Sequence, residues 1–236
     1  MAVGDLVRSR RFGPVAVVEL HRPEVRHALN TELLRALIAA LGALAAANDV
    51  EAVVITGSGG CFSAGADVAE PIGQGEAVTR MGLFGSLYEL VATYPTPTVA
   101  AISGWCIGGG AEVAAACDLR VGAPSAAIRF PGAVFGVPAG AARLPALVGL
   151  SHAKDLLMTA RTVRAEEAYR MGFLNRLVGE EELLAEAAAL ATAMAANPGA
   201  IVQKRALDEA LGLSARMQAE NRGLRRWQSG ATGLMG

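Results

Sequence analysis

At 236 residues the chain is long enough for one large domain with a substantial core, and the whole of it, 1–236, reads as a single domain. A hydrophobic share of 53% against 18% charged residues excludes a disordered chain and points to a globular protein that hides surface against copies of itself. Lysine and arginine number 21 against 22 acidic residues, with no basic cluster or aromatic-interleaved basic stripe, which excludes nucleic acid as a partner.

The amino-terminal stretch carries Arg8, Arg10 and Arg11, but its apolar run ends at Val18 before Glu19, which marks a strand, Val15 to Leu20, and not a signal peptide. Asn30 is a good N-cap for a helix over Thr31 to Ala47, where Leu33, Leu34, Leu37, Ile38, Leu41 and Leu44 recur at helical spacing. Ala52 to Thr56 is a continuous apolar run, the mark of a strand buried on both faces, and it leads into a glycine-rich loop. A second helix is expected between Glu76 and Thr93, after which Pro95 and Pro97 force an extended entry into the strand TVAAISG. The segment GWCIGGGAEVAAACD turns into a third helix, and short strands follow around Leu119 to Gly122 and Ala126 to Phe130. From Arg143 onward the pattern is helical, punctuated by Gly149, Gly172, Pro198 and Gly212. This order predicts an α/β core with a helical tail. The Ala-rich stretches are interrupted before they reach the length of a membrane span, so no membrane is expected. Cys61, Cys106 and Cys117 lack metal-ligand spacing and sit among small apolar residues; they read as reduced core thiols, from which a cytoplasmic location is expected.

Gly108, Gly109 and Gly110 stand in a row, and Glu112 follows as a lone carboxylate in an apolar helical run. Consecutive glycines lose backbone entropy on folding, and a carboxylate among Ala, Val and Cys is expensive to bury, so something should offset both. The stretch shares its design with Gly59 to Val68, GGCFSAGADV: a buried strand ends, small residues follow and a helix starts. Small residues let a backbone approach a ligand, and the N–H groups of a helix's first turn attract an oxyanion. If both loops face one point, two backbone N–H groups can polarise a single carbonyl oxygen while Glu112 moves a proton beside it. The same residues also suit a helix packed tightly on a sheet, with the glutamate pairing the helix dipole, and spacing alone leaves both readings open. Other motifs fit worse. Phe62 stands where a dinucleotide fingerprint needs its third glycine, Ser63 lacks the first glycine of a nucleophile elbow, and no P-loop follows either glycine run.

The ordered series HRPEVRHALN, CFSAGADVAE, PTPTVAAISGWCIGGGAEVAAACDLRVG, FPGAVFGVPAG and ARLPALVG closely resembles the enoyl-CoA hydratase/isomerase superfamily, the crotonase fold, and ARTVRAEEAYRMGFLNRLV resembles its continuation. One piece alone would be unspecific; their ordered co-occurrence is highly specific. The resemblance implies an α/β fold, a crotonase-type superhelix of strand–strand–helix units over about 1–195, with a C-terminal helical region over about 196–236 through which copies form a homotrimer or a hexamer. It implies an acyl-CoA thioester substrate in fatty-acid or related metabolism, coenzyme A entering as part of the substrate, and no permanently bound cofactor or metal. By the same resemblance Ala66 and Gly109 are the two N–H donors to the thioester oxygen, and Glu112 is the first of two acid–base glutamates. Arg26 then lies near the coenzyme A phosphates, and Ala64, Asp67 and Val68 surround its adenine end.

The departures from the family pattern matter as much. The second glutamate of a typical hydratase directly follows the proline in the segment resembling FPGAVFGVP, and here Gly132 holds that place, with no carboxylate between Asp118 and Asp155 to replace it. One carboxylate still permits a double-bond shift, slow hydration or another enolate reaction; the alternative is an acyl-CoA-binding relative without hydratase activity. Asp118 reads as structural, His27 as a loop residue near the coenzyme A entrance, and His21 and His152 as surface or helix-start residues. Pro71 to Leu90, including Met81, Leu83, Phe84 and Leu87, is expected either to line part of the acyl pocket or to be plain core. The chain stops soon after Trp227, where relatives usually continue into a further helix.

Overall fold

The computed structural model describes residues 6–71 and 73–228, and the statements below concern those residues. A hairpin opens the chain, β1 (Val7–Phe12) and β2 (Val15–Leu20), turned at Gly13 with φ +57°. Helix α1 (Thr31–Ala45) starts where Asn30 Oδ1 accepts the N–H of Leu33 at 2.9 Å, and it buries Leu33, Leu34, Leu37, Ala40 and Leu41. Next come β3 (Ala52–Gly57) and α2 (Gln74–Ala92), then β4 (Thr98–Ile102), β5 (Trp105–Ile107) and α3 (Gly109–Ala116). The chain continues through β6 (Leu119–Gly122), β7 (Ala127–Arg129), a short 3-10 turn at Pro131–Phe135, and α4 (Leu144–Thr159), which is kinked at Gly149. After β8 (Thr162–Arg164), α5 (Ala165–Arg170) and β9 (Arg176–Leu177) come three helices: α6 (Leu183–Ala195), α7 (Ala200–Ala210) and α8 (Leu213–Gln228).

The strands form two sheets. One has the order β1-β2-β3-β4-β6-β9 and is parallel apart from the β1–β2 hairpin; the other has the order β5-β7-β8. The central strands of the first sheet are covered on both faces, which is why β2, β3 and β4 are largely apolar, Glu19, Thr56 and Thr98 being the exceptions. Val15, Val17, Val54, Val99 and Ala101 meet Leu183, Ala187, Leu190 and Ala191 of α6, while the alternate residues enter the larger core with α1. A repeated bend links the sheets. The chain leaves β4 at Gly104, where φ is +53° and a Cβ would lie 2.3 Å from Gly60 O, and it enters the second sheet as β5. Strands β6 and β7 repeat the step, and the loop after β3 makes it without a regular strand, Ser63 bridging Cys106. Three strand–bend–helix turns therefore stack, and the small-residue segments that precede the helices come together.

Strands β1, β5, β8 and β9 lie outside the elements expected from sequence. β5, β8 and β9 have two or three residues and carry no readable period, and in β1 only Val7 is buried, so neighbouring strands supply what the sequence lacks. Asp118 ties α3 to the sheet: its Oδ2 accepts the Thr98 N–H at 2.7 Å and the Thr98 hydroxyl at 2.9 Å, and holds Lys204 Nζ of α7 at 3.0 Å. No described helix is long and apolar enough to cross a membrane.

Candidate active site

Ala66 and Gly109 open onto one cavity of about 400 Å3. Leu29 and Ala66 form an isolated parallel bridge, in which Leu29 N–H donates to Gly65 O at 2.7 Å and Asp67 N–H donates to Leu29 O at 3.1 Å. Those bonds use the groups flanking Ala66, so its own N–H points away from Leu29. Gly109 is the first residue of α3, whose opening backbone bond runs from Glu112 N–H to Gly108 O at 2.9 Å, so the N–H of Gly109 has no partner within the helix. The two loops touch: a Cβ on Gly65 would lie 2.6 Å from Ile107 O and 3.4 Å from Gly109 N.

The glycine triplet answers three separate constraints. Gly108 adopts φ +50°; a Cβ on Gly109 would lie 2.7 Å from Phe84 Cε1, and one on Gly110 would lie 2.7 Å from Ser63 Cβ. Close packing and ligand access, left as alternatives by the sequence, are thus compatible in one segment.

Ion pairs and hydrogen bonds hold the first loop. Arg22 Nη1 donates to Asp67 Oδ2 at 2.6 Å and to Ala28 O at 2.9 Å, and this guanidinium keeps the Asp67 carboxyl below the usual carboxylate range. Arg80 Nη1 donates to Asp67 O at 2.7 Å and to Glu70 Oε2 at 2.8 Å. His27, expected as a loop residue near the entrance, lies in the turn after Pro23–Val25 with its side chain fully buried. Its Nδ1 accepts the Arg22 N–H at 2.9 Å and its Nε2–H donates to Ser58 O at 2.8 Å, the pattern of a neutral ring, and burial lowers its pKa.

Glu112 is one helical turn beyond Gly109 on the same face of α3 and lines the same cavity. Its Oε2 accepts Arg143 Nη2–H at 2.8 Å, and the Arg143 guanidinium lies 5.3 Å from the centroid of the Tyr88 ring. Burial pushes the Glu112 carboxyl up to about 7; Arg143 pulls it down, and the carboxylate of Glu220 pushes it up. A group that titrates there can both take and return a proton at neutral pH.

Of the other expected residues, Ala64, Asp67 and Val68 line the cavity, Val68 at 86% exposure on its rim, whereas Arg26 is exposed outside it and joins the site through its carbonyl, which accepts the Ala64 N–H at 2.8 Å. Met81 and Phe84 also line it, while Leu87 is core and Leu83 packs at the core's edge. Tyr88, within the expected Pro71 to Leu90 segment, is also on the wall; sequence reasoning missed Arg129 and Leu224 there, together with the Arg143 and Glu220 partners of Glu112. Gly132 lies on the opposite wall, in a turn closed by the Val137 N–H donating to Gly132 O at 2.8 Å. A Cβ there would sit 2.5 Å from Val137 O, so any side chain requires the turn to open. Among the described residues, no cluster of three or more His, Cys, Asp or Glu side chains could hold a metal ion.

The enoyl-CoA hydratase/isomerase family model matches residues 11–226. A crotonyl-CoA hydratase from Syntrophomonas wolfei is 38% identical over 178 residues, covering 73% of this chain and 68% of its own. A short-chain-enoyl-CoA hydratase from Clostridium acetobutylicum is 34% identical over 191 residues, covering 78% and 73%. The crystal structure of an enoyl-CoA hydratase/isomerase from Xanthobacter autotrophicus Py2 superposes with a TM-score of 0.85 at 32% identity, over 95% of this chain and 86% of that one. A family model matched over residues 11–226, relatives above 30% identity and a shared fold identify the chain as a member of the enoyl-CoA hydratase/isomerase family.

Proposed function

We propose that the protein acts on an enoyl-CoA thioester, with the N–H groups of Ala66 and Gly109 holding the thioester oxygen and Glu112 carrying the proton. One observation carries this reading: two loops distant in sequence turn backbone donors onto the same apolar cavity as a buried carboxylate raised to about 7. Both donors sit on closely packed segments that already present their N–H groups before negative charge reaches the oxygen.

A double-bond shift is the reaction that this arrangement supports best. Glu112 removes a C2 proton from a 3-enoyl thioester, the electron pair moves into the carbonyl to give a dienolate, and the acid form of Glu112 returns the proton to C4. The double bond then lies between C2 and C3, and a single carboxylate has done both transfers. Hydration needs a water activated and a proton delivered, and the backbone around Gly132 leaves no room for a second carboxylate without movement. Because the base form of Glu112 is required, kcat/KM should rise with pH through about 7.

Coenzyme A would pass the exposed Arg26, with Ala64, Asp67 and Val68 around its adenine end. Assembly as a homotrimer or hexamer is supported by exposed apolar residues on the C-terminal helices, Val202, Leu207 and Leu211 among them. A cytoplasmic location and a role in fatty-acid or related acyl-CoA metabolism belong to the same reading, with three buried unpaired thiols in favour of the first. The test is a steady-state assay with a 3-enoyl-CoA and with crotonyl-CoA, following the conjugated thioester absorbance. Gain with the 3-enoyl ester and slow loss with crotonyl-CoA are expected. Rapid loss with crotonyl-CoA would make this a hydratase that activates water without a carboxylate at Gly132, and silence with both would leave a binding protein.

A further inference from the structure

The carboxylate absent from the Gly132 wall has a counterpart late in the chain that is linked to Glu112 through Arg143. Helix α8 carries Leu213, Met217, Glu220 and Leu224 along one stripe, and the last three are buried. Glu220 is thus a lone carboxylate on an apolar helix face, 7% exposed. Its Oε2 accepts the Ala142 N–H at 2.8 Å, and its Oε1 accepts Arg143 Nη2–H at 2.7 Å, across 77 residues of sequence. The same Nη2 donates to Glu112 Oε2 at 2.8 Å, so one nitrogen bridges two carboxylates.

The charge count of this cluster does not balance. One guanidinium between two carboxylates leaves one uncompensated negative charge among buried side chains, and taking up a proton is the least costly relief. The titratable and charged groups facing Glu112 are Arg143 at the head of α4, Glu220 from α8, Tyr88 from α2 and Cys106 from β5. Burial drives Tyr88 and Cys106 further toward their neutral forms, so Arg143 and Glu220 set the field.

We propose that Arg143 and Glu220 are positioning residues for Glu112, Arg143 fixing its carboxylate through Oε2 and Glu220 supplying the second negative charge that makes the cluster hold a proton. Helix α8 is then part of the active site, and its Leu224 lines the same cavity. The inference rests on the proton-carrying role given to Glu112, so its test has a readout independent of turnover. Protein labelled with 13C at glutamate Cδ is titrated by NMR, the Glu112 signal being assigned by its loss in Glu112→Gln. In Glu220→Gln the Glu112 midpoint should fall by on the order of one pH unit, and the acid limb of kcat/KM should move with it. The variant leaves Arg143 and Glu112 as a balanced pair and should therefore fold; Glu220→Met removes the same charge and should give the same shift.

An unmoved Glu112 midpoint in either folded variant would overturn the proposal, whatever happens to the melting temperature. A moved midpoint in protein inactive on every enoyl-CoA would uphold the positioning role and count against the proposed function instead.

Discussion

The two walls of the cavity obtain their polar groups in opposite ways. Along residues 63–66 and 107–110 the donors are backbone N–H groups, and glycines at 65, 109 and 110 bring the chains so close that a Cβ would fall within 2.7 Å of a neighbour. Along residues 131–143 the backbone folds back on Gly132, and, outside the cavity lining, Arg143 at the head of α4 donates to both Glu112 and Glu220 of α8. The first wall is fixed by local packing and responds to added volume. The second is fixed by long-range ion pairing and responds to changes in charge.

The largest effect should come from Glu112→Gln, which leaves the first wall intact and removes the proton carrier. Turnover should fall by about 10³-fold or more while the affinity for a CoA ester stays nearly unchanged, measured as kcat and Kd. Gly65→Ala attacks the other wall alone. Its Cβ would meet Ile107 O at 2.6 Å at a residue with φ +86°, so the donor loops must separate, and kcat/KM should drop by about 10²-fold. Phe84→Ala deepens the cavity beside Gly109 and should move the preference toward longer acyl chains by about tenfold in relative kcat/KM, whereas a purely core role would lower stability with selectivity unchanged. Gly132→Glu should be the smallest in activity: no gain in crotonyl-CoA hydration, and a loss of about 1–3 kcal/mol in stability as the turn opens against Val137 O. A hydratase created by that single change would mean that the second wall is more adaptable than its packing indicates.

The sequence made the first wall legible because its constraints are local. Strands β2, β3 and β4 announce themselves as largely apolar runs, α1 by its Asn30 cap, and the site by glycines beside a carboxylate that has no apolar reason to be there. The second wall was not legible, since Arg143 meets Glu220 across 77 residues and nothing in the sequence near either one names the other. A signal did exist. Glu220 interrupts the apolar stripe of α8 just as Glu112 interrupts α3, and the question asked of one carboxylate applies equally to the other. The burial of His27 was not legible either, because the Arg22 N–H and the Ser58 carbonyl that hold its ring lie in separate parts of the loop region. The positions of Ala66 and Gly109 followed from the family resemblance, and the structure adds the reason that both N–H groups lie outside their local ladders.

The most direct test of the central claim, that two backbone donors and one carboxylate form and quench an enolate, is hydrogen exchange at C2 of a saturated acyl-CoA such as butyryl-CoA in D2O, read by NMR or mass spectrometry. Such an ester has no double bond to shift or hydrate, so exchange reports only proton removal beside a stabilised oxyanion. The wild-type protein should exchange C2 protons well above the uncatalysed rate, Gly65→Ala should slow the exchange, and Glu112→Gln should abolish it. Exchange that persists in Glu112→Gln, or none in a wild-type protein shown to bind the ester, would contradict the account.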